Sequence, residues 1–401
     1  MIDNNYSGTG KDFIMKPVII FSLLTLFIFP IGALPDEDSP KISLFNGTDL
    51  NGWHSVGGGK WTVENGEIVG ETGTGEYGWL VADQEYSDFI LELKFKAEAN
   101  GNSGIQFRSH IIDGVMKGYQ AECDNRPGMH TGGVYEEHGR GWLAQPSEEG
   151  EKALIPDEWN IYRIQMLGDT IQTWLNGRKI VDFHDNQSVR GIIALQVHSG
   201  KEPPVKMRWK DITIIDLNYG EDWTPLFNGK NLEGWVEHGQ EKWSVADNCI
   251  VGQAVTDAYG YLATVQTYKD FIIRLRCKAE GTGNSGLFYH STLDGVDIRG
   301  VQAEIDPTPG NHTAGLYESG GRGWIALPNE DAEKLTRPVG EWNDLYVRVK
   351  GNHVTTYTNG WKAVDFIDNE QKYNDGVIAL QLHSGGQASM RWQSIYVKKV
   401  D

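Results

Sequence analysis

Phe89, Leu91, Leu93, Phe95 and Ala97 alternate with Glu92, Lys94, Lys96 and Glu98, the period of two that a half-buried strand requires. The same alternation recurs in shorter runs. Tyr119, Ala121 and Cys123 stand against Gln120, Glu122 and Asp124; Ile105 and Phe107 against Gln106 and Arg108; Leu195 and Val197 against Gln196 and His198. Asn176-Gly177 lies between Thr170–Leu175 and Arg178–Phe183, a strong hairpin signal because both turn positions need positive φ. Asn359-Gly360 repeats it. Only Glu148 to Ala153 has helical character. Strands and tight turns in this density predict an all-β chain built as a β-sandwich, jelly-roll-like in layout.

The pattern is written twice. Leu44-Phe45-Asn46-Gly47 and Gly52-Trp53 return 182 residues later as Leu226-Phe227-Asn228-Gly229 and Gly234-Trp235. Asn102-Ser103-Gly104 matches Asn284-Ser285-Gly286, and Gly139-Arg140-Gly141-Trp142 matches Gly321-Arg322-Gly323-Trp324. Ala194 to Gly200 matches Ala379 to Gly385 at an offset of 185, as a short insertion would produce. A period this long excludes a solenoid or propeller repeat. Each copy is domain-sized, 41–217 and 223–401, with the boundary in the polar stretch Asn218 to Asp222.

Composition narrows the function. A net charge of −19 excludes a phosphate-reading surface, which needs a basic stripe. Hydrophobic residues at 39% exclude disorder. The three cysteines exclude a disulfide scaffold. Cys123, Cys249 and Cys277 align with Ile305, Glu67 and Phe95 across the repeat, so buried free thiols are expected in preference to a Cys249–Cys277 bridge. Val18 to Leu34 is a short apolar run after Lys16-Pro17 that exits through Ile31-Gly32-Ala33. Residues 1–34 therefore read as a secretory signal peptide with an N-terminal extension, which a translation start at Met15 would account for. The run is too short and too broken by Pro30 to span a membrane comfortably, so the mature chain is expected outside the cytoplasm, periplasmic or extracellular.

Candidate chemistry lies where strands carry a polar face. Gln120, Glu122 and Asp124 share one side, as do Gln106 and Arg108, and Gln196 and His198. Copy two repeats the types in Gln302, Glu304 and Asp306, and in Gln381 and His383, but has His290 in place of Arg108. If the strands are neighbours, these sides form one groove of carboxylates, amides, an imidazole and a guanidinium. A second set is expected on loops: His130, Tyr135, Glu136, Arg140 and Trp142, mirrored by His312, Tyr317, Glu318, Arg322 and Trp324. Trp142 and Trp324 offer a stacking face for a sugar ring. His130 and His198 with a nearby carboxylate leave room for a divalent cation, but no compact ligand spacing assigns one.

The Leu-Phe-Asn-Gly opening, the Asn-Ser-Gly segment, the Gln-x-Glu-x-Asp strand and the Trp-Asn pairs Trp159-Asn160 and Trp342-Asn343 together resemble the 3-keto-disaccharide hydrolase domain family. The resemblance implies two tandem concanavalin A-like sandwiches and cleavage of glycosides already oxidised to a ketone at C3. A ketone there acidifies the C2 proton, so a carboxylate or imidazole can remove it. On this basis Glu122 or His198 is the expected base, Asp124 its partner and Arg108 the stabiliser of the enolate. Glu304, Asp306 and His383 take the corresponding places in copy two. Gln120, Gln196, His130, Glu136, Arg140 and Trp142, with Gln302, Gln381, His312, Glu318, Arg322 and Trp324, are the expected sugar contacts. An ordinary two-carboxylate glycosidase is disfavoured, because Glu122-Cys-Asp124 is followed by Asn125, Arg126 and Pro127 rather than by a further Glu. The non-enzymatic alternative is a lectin-like carbohydrate-binding protein whose two weak sites gain avidity. Oligomeric state, aglycone and linkage are not encoded legibly, and an oxidoreductase would have to supply the ketone.

Overall fold

The computed structural model describes residues 41–72, 75–98, 101–199, 204–217, 223–281 and 284–400. The signal-peptide segment and the stretch Asn218 to Asp222 lie outside these residues. Phe89, Leu91, Leu93, Phe95 and Ala97 are all buried along the strand Phe89–Ala97, as their alternation requires. That strand pairs with Asn160–Leu167 on one side and Lys206–Asp216 on the other. They belong to a back sheet that runs from Arg178–His184 at one edge to Lys60–Glu64 at the other.

Facing it is a seven-stranded front sheet in the order Gly141–Ala144, Val134–Glu137, Val115–Asp124, Asn102–Ile112, Gly191–Val197, Gly78–Tyr86, Trp53–Gly57. The pairing is antiparallel throughout. Phe107, Tyr119, Leu195 and Val197 from the front meet Phe95, Tyr162 and Trp209 from the back in one apolar layer. Burying such rings is the main stabilising term of a sandwich. Residues 224–399 build the same two sheets again, with Trp392 in the place of Trp209. The chain is thus two concanavalin A-like sandwiches in tandem.

The turns form as their sequences dictate. Asn176 and Gly177 have φ of 49° and 79°, and Asn359 and Gly360 have 49° and 90°, the left-handed pair of a two-residue hairpin. The expected helix is a single turn, Glu148–Glu151, capped by Ser147, whose side chain accepts from the Gly150 amide. A second one, Glu330–Lys334, capped by Asn329, was not anticipated. All three cysteines are buried and unpaired.

The copies meet along a seam. The Val189 amide donates to the Gly360 carbonyl at 2.8 Å and the Lys362 amide to the Gln187 carbonyl at 3.0 Å. His110 packs edge-on to Trp361, ring centres 5.5 Å apart. Ion pairs Lys117–Asp331, Lys334–Asp113 and Arg337–Glu85 flank these contacts.

Candidate functional site

The three strands expected to be neighbours are adjacent in the front sheet, and their polar side chains share its outward face. Register sets Asn102 opposite Asp124, Gly104 opposite Glu122 and Gln106 opposite Gln120. Side chains then join across strands. Gln106 Nε2 and Gln196 Nε2 donate to Gln120 Oε1 at 2.7 and 3.0 Å. Gln120 Nε2 passes the order on to Glu122 Oε2 at 3.1 Å. Asn102 Nδ2 bridges Glu122 Oε1 at 3.1 Å and Asp124 Oδ2 at 2.9 Å.

The Asn-Ser-Gly segment has a part for each residue. Asn102 ties the carboxyls, and Ser103 Oγ donates to the Gln196 carbonyl at 2.6 Å. Gly104 leaves the space that Gln120 fills, for a Cβ there would sit 2.3 Å from the Gln120 amide carbon. Gly104→Ala is therefore expected to displace Gln120 and break its bonds to Gln106, Gln196 and Glu122 while the sandwich persists. A crystal structure of the variant beside circular dichroism checks both halves, and an unmoved Gln120 would contradict the crowding at Gly104.

Electrostatics splits the two carboxyls. Burial pushes Glu122 up to about 8, with the charge of Asp124 adding and the bonds from Gln120 and Asn102 opposing. Burial also presses Asp124 upward, but the bonds and charge of Arg126 together with Asn102 outweigh it and hold that carboxyl below the usual range. Arg126 reaches Asp124 through Nε at 2.9 Å and Nη2 at 2.5 Å. Two carboxyls two residues apart, one neutral and one ionised at pH 7, are what acid–base chemistry needs. Glu304 in copy two is likewise raised by burial to about 8, with Gln302 Nε2 donating at 2.5 Å and Asn284 also donating.

His198 follows the end of the Gly191–Val197 strand, with Nε2 3.2 Å from Tyr77 Oη. His383 stands 3.3 Å from Tyr259 in the same way. These tyrosines escaped sequence reasoning, although the dipeptides Tyr77-Gly78 and Tyr259-Gly260 recur at the 182-residue spacing. Gln120, Tyr135 and Trp142 form one row across three strands. Trp142 is 37% and Trp324 43% exposed, each edge-on to a Tyr and to a His. His130 and His312 are held through Nδ1 by Glu151 at 2.8 Å and Glu333 at 2.6 Å. Gln196 Oε1 and Gln381 Oε1 are buried without a donor.

Arg108 is placed elsewhere. A bulge between Phe107 and His110 puts Arg108 at a φ of 43°, which breaks the alternation. Its side chain is fully buried and donates to the carbonyls of Ser87, Gly168 and Ser188 and to Asp88 Oδ1, at 2.6 to 3.2 Å. Arg108 staples turns together instead of facing the carboxyls. His290 does the same in copy two, its ring nitrogens 3.1 and 2.6 Å from the carbonyls of Tyr373 and Lys269. Glu136 and Arg140 also leave the site. Glu136 alternates with Tyr135 and turns inward, pairing with Arg140, which binds Asp185 at 2.7 Å. Glu318, Arg322 and Asp368 repeat that inward network.

Among the described residues no three His, Cys, Asp or Glu side chains group to hold a metal ion. His130 Nδ1 lies against Glu151 and His198 Nε2 against Tyr77. Nor is any helix among the described residues long and apolar enough to cross a membrane.

A family model described as a 3-keto-alpha-glucoside-1,2-lyase-like domain matches residues 40–215 and again residues 222–398. A 3-keto-disaccharide hydrolase from Bacteroides thetaiotaomicron is 22% identical over 244 residues, covering 52% of this chain and 78% of that protein. A crystal structure from Parabacteroides distasonis, described as a glycosyl hydrolase, aligns at 23% identity over 45% of this chain and 95% of its own, with a TM-score of 0.36. The carbohydrate-binding module CBM66 from Bacillus subtilis aligns at 15% identity over 41% and 96%, with a TM-score of 0.34.

Proposed function

Because the chain belongs, in both of its halves, to the 3-keto-alpha-glucoside-1,2-lyase-like domain family, we propose that it cleaves glycosides bearing a ketone at C3 of the sugar. The observation that carries this reading is the buried Glu122 carboxyl tied through Asn102 to the Arg126-bound Asp124, with Glu304 tied through Asn284 to Asp306 in copy two; burial pushes both glutamates up to about 8. A base with a pKa near the working pH combines strength with availability. The relative's name, 3-keto-disaccharide hydrolase, agrees with it.

In this reading Glu122 takes the C2 proton, and the C–H electron pair moves into the enolate of the C3 ketone. Tyr77 Oη is the donor available to the enolate oxygen. Collapse of the enolate expels the C1 oxygen substituent with its bonding pair, and His198 protonates it. Water then adds at C1 of the C1=C2 enone, giving a proton to His198 while Glu122 returns its proton to C2. Net hydrolysis follows, with both groups restored. Trp142 stacks on the sugar, and the donorless Gln196 Oε1 accepts from a hydroxyl. Copy two runs the same steps with Glu304, His383 and Tyr259. The residues 41–217 and 223–401 act as separate units, and the signal-peptide reading of residues 1–34 places them outside the cytoplasm.

The test is aglycone release by the full chain from a chromogenic 3-keto-glucoside beside its unoxidised parent. Release from the keto compound alone is expected. Its rate should climb as the pH rises toward about 8, because Glu122 must shed its proton to act. Release from both compounds would indicate ordinary glycosidase chemistry. Release from neither, with sugar still bound, would favour the lectin-like alternative.

A further inference from the structure

The two copies keep the same carboxyl pair and differ in what answers its charge. Resting on the reading of these faces as sugar sites, we infer that copy two takes sugars carrying an ammonium group, whereas copy one takes neutral ones. In copy one the Asp124 charge is met by Arg126, bonded through two nitrogens. Thr308 stands in that position in copy two. It contributes only its backbone amide, at 2.9 Å from Asp306 Oδ1.

The other donors to Asp306 are neutral too: Asn311 Nδ2 at 3.0 Å and Asn284 Nδ2 at 3.4 Å. Met129 occupies the place of Asn311 in copy one. Among the described residues no basic side chain pairs with Asp306, and His312, close by in sequence, is engaged by Glu333. Two further acceptors lack donors here, Asn284 Oδ1 and, as with Gln196 Oε1 in copy one, Gln381 Oε1. Gln381 is only 3% exposed and projects from the same outward face, alternating with the buried Leu380 and Leu382. Phe288, where Gln106 donates to Gln120 in copy one, supplies no donor to Gln302.

The copy-two carboxyl pair is therefore rich in acceptors, with no basic side chain on Asp306 among the described residues. A hydroxyl brings one donor and no charge, while an alkylammonium brings three donors and the missing positive charge. Bonds assisted by opposite charges are the stronger kind, and burial of Asp306 limits the screening by solvent.

Calorimetry on the full chain with methyl 2-amino-2-deoxyglucoside, methyl glucoside and the N-acetylated amine tests this. The amine should bind about tenfold tighter than the other two, at one site per chain. Thr308→Arg, at an exposed position, should abolish that preference and leave glucoside binding unchanged. Arg126→Thr should create a second amine site. Equal affinities in the unmodified chain, or a preference that survives Thr308→Arg, would overturn the inference. Turnover of the 3-keto-glucoside on the same preparations separates the two readings. Turnover without amine preference overturns this inference alone, and absence of both turnover and sugar binding overturns the sugar-site reading with it.

Discussion

Glu122→Gln, made in a Glu304→Gln background so that only copy one is read, is expected to lower 3-keto-glucoside turnover by about 10²–10⁴-fold. The amide fills the same space among Gln120 and Asn102 but accepts no proton from C2. The same variant should gain stability in alkali. A carboxyl raised to about 8 when folded, and ordinary when unfolded, binds more protons in the folded state between those values. Stability of the parent therefore falls as pH rises from about 4.5 to 8 and is level above. Glutamine does not titrate, so its advantage grows across that window, reaching on the order of 5 kcal/mol at most. Thermal melts at pH 5 and pH 9 measure it. A variant that loses turnover and gains nothing at pH 9 would mean that Glu122 is not held protonated.

Arg108→Leu is expected to be the most destabilising single change in copy one. It leaves three turn carbonyls without this donor and Asp88, which is part-exposed, with the Gly168 amide alone, and leaving several buried acceptors unpaired at about 1–3 kcal/mol each sums to about 3–5 kcal/mol. For a domain of this size that is a fall on the order of 10 °C in Tm. Calorimetry should show copy one melting ahead of copy two. Arg108→His should cost less, since His290 fills the same role with two carbonyl contacts. A melt shifted by less than about 2 °C in Arg108→Leu would mean that water replaces the staple at little cost.

Most of the fold and the centre of the candidate site were legible for one physical reason. A strand between a packed core and a polar face must alternate, so the alternation alone sets Gln120, Glu122 and Asp124 on one side. Arg108 was misplaced because a bulge adds a residue and ends the alternation, and nothing in Phe107-Arg108-Ser109 marks a bulge. Glu136 and Arg140 were misplaced because the strand Val134–Glu137 is too short to show a period, so no face could be assigned. Tyr77 was missed because it precedes its strand and belongs to no alternating run. The raised carboxyl was not legible at all, since burial of Glu122 depends on neighbours from several strands.

The seam between the copies has a consequence for solubility. The strand Trp361–Ile367 is the outer edge of copy two's back sheet, and such an edge is a template for pairing with a foreign chain. Copy one's loop closes it at its start, through Val189, Gln187 and the bridge from Ser188 to Trp361. The matching edge in copy one, Arg178–His184, begins with Arg178 where copy two has Trp361, and carries Lys179 and Asp182, all three exposed. Lys362 and Asp365 repeat Lys179 and Asp182 in copy two, so among these positions the edges differ at Trp361, which the neighbouring copy covers. Cutting the chain between the copies would bare Trp361 and turn copy two from a protected sheet into an aggregation nucleus.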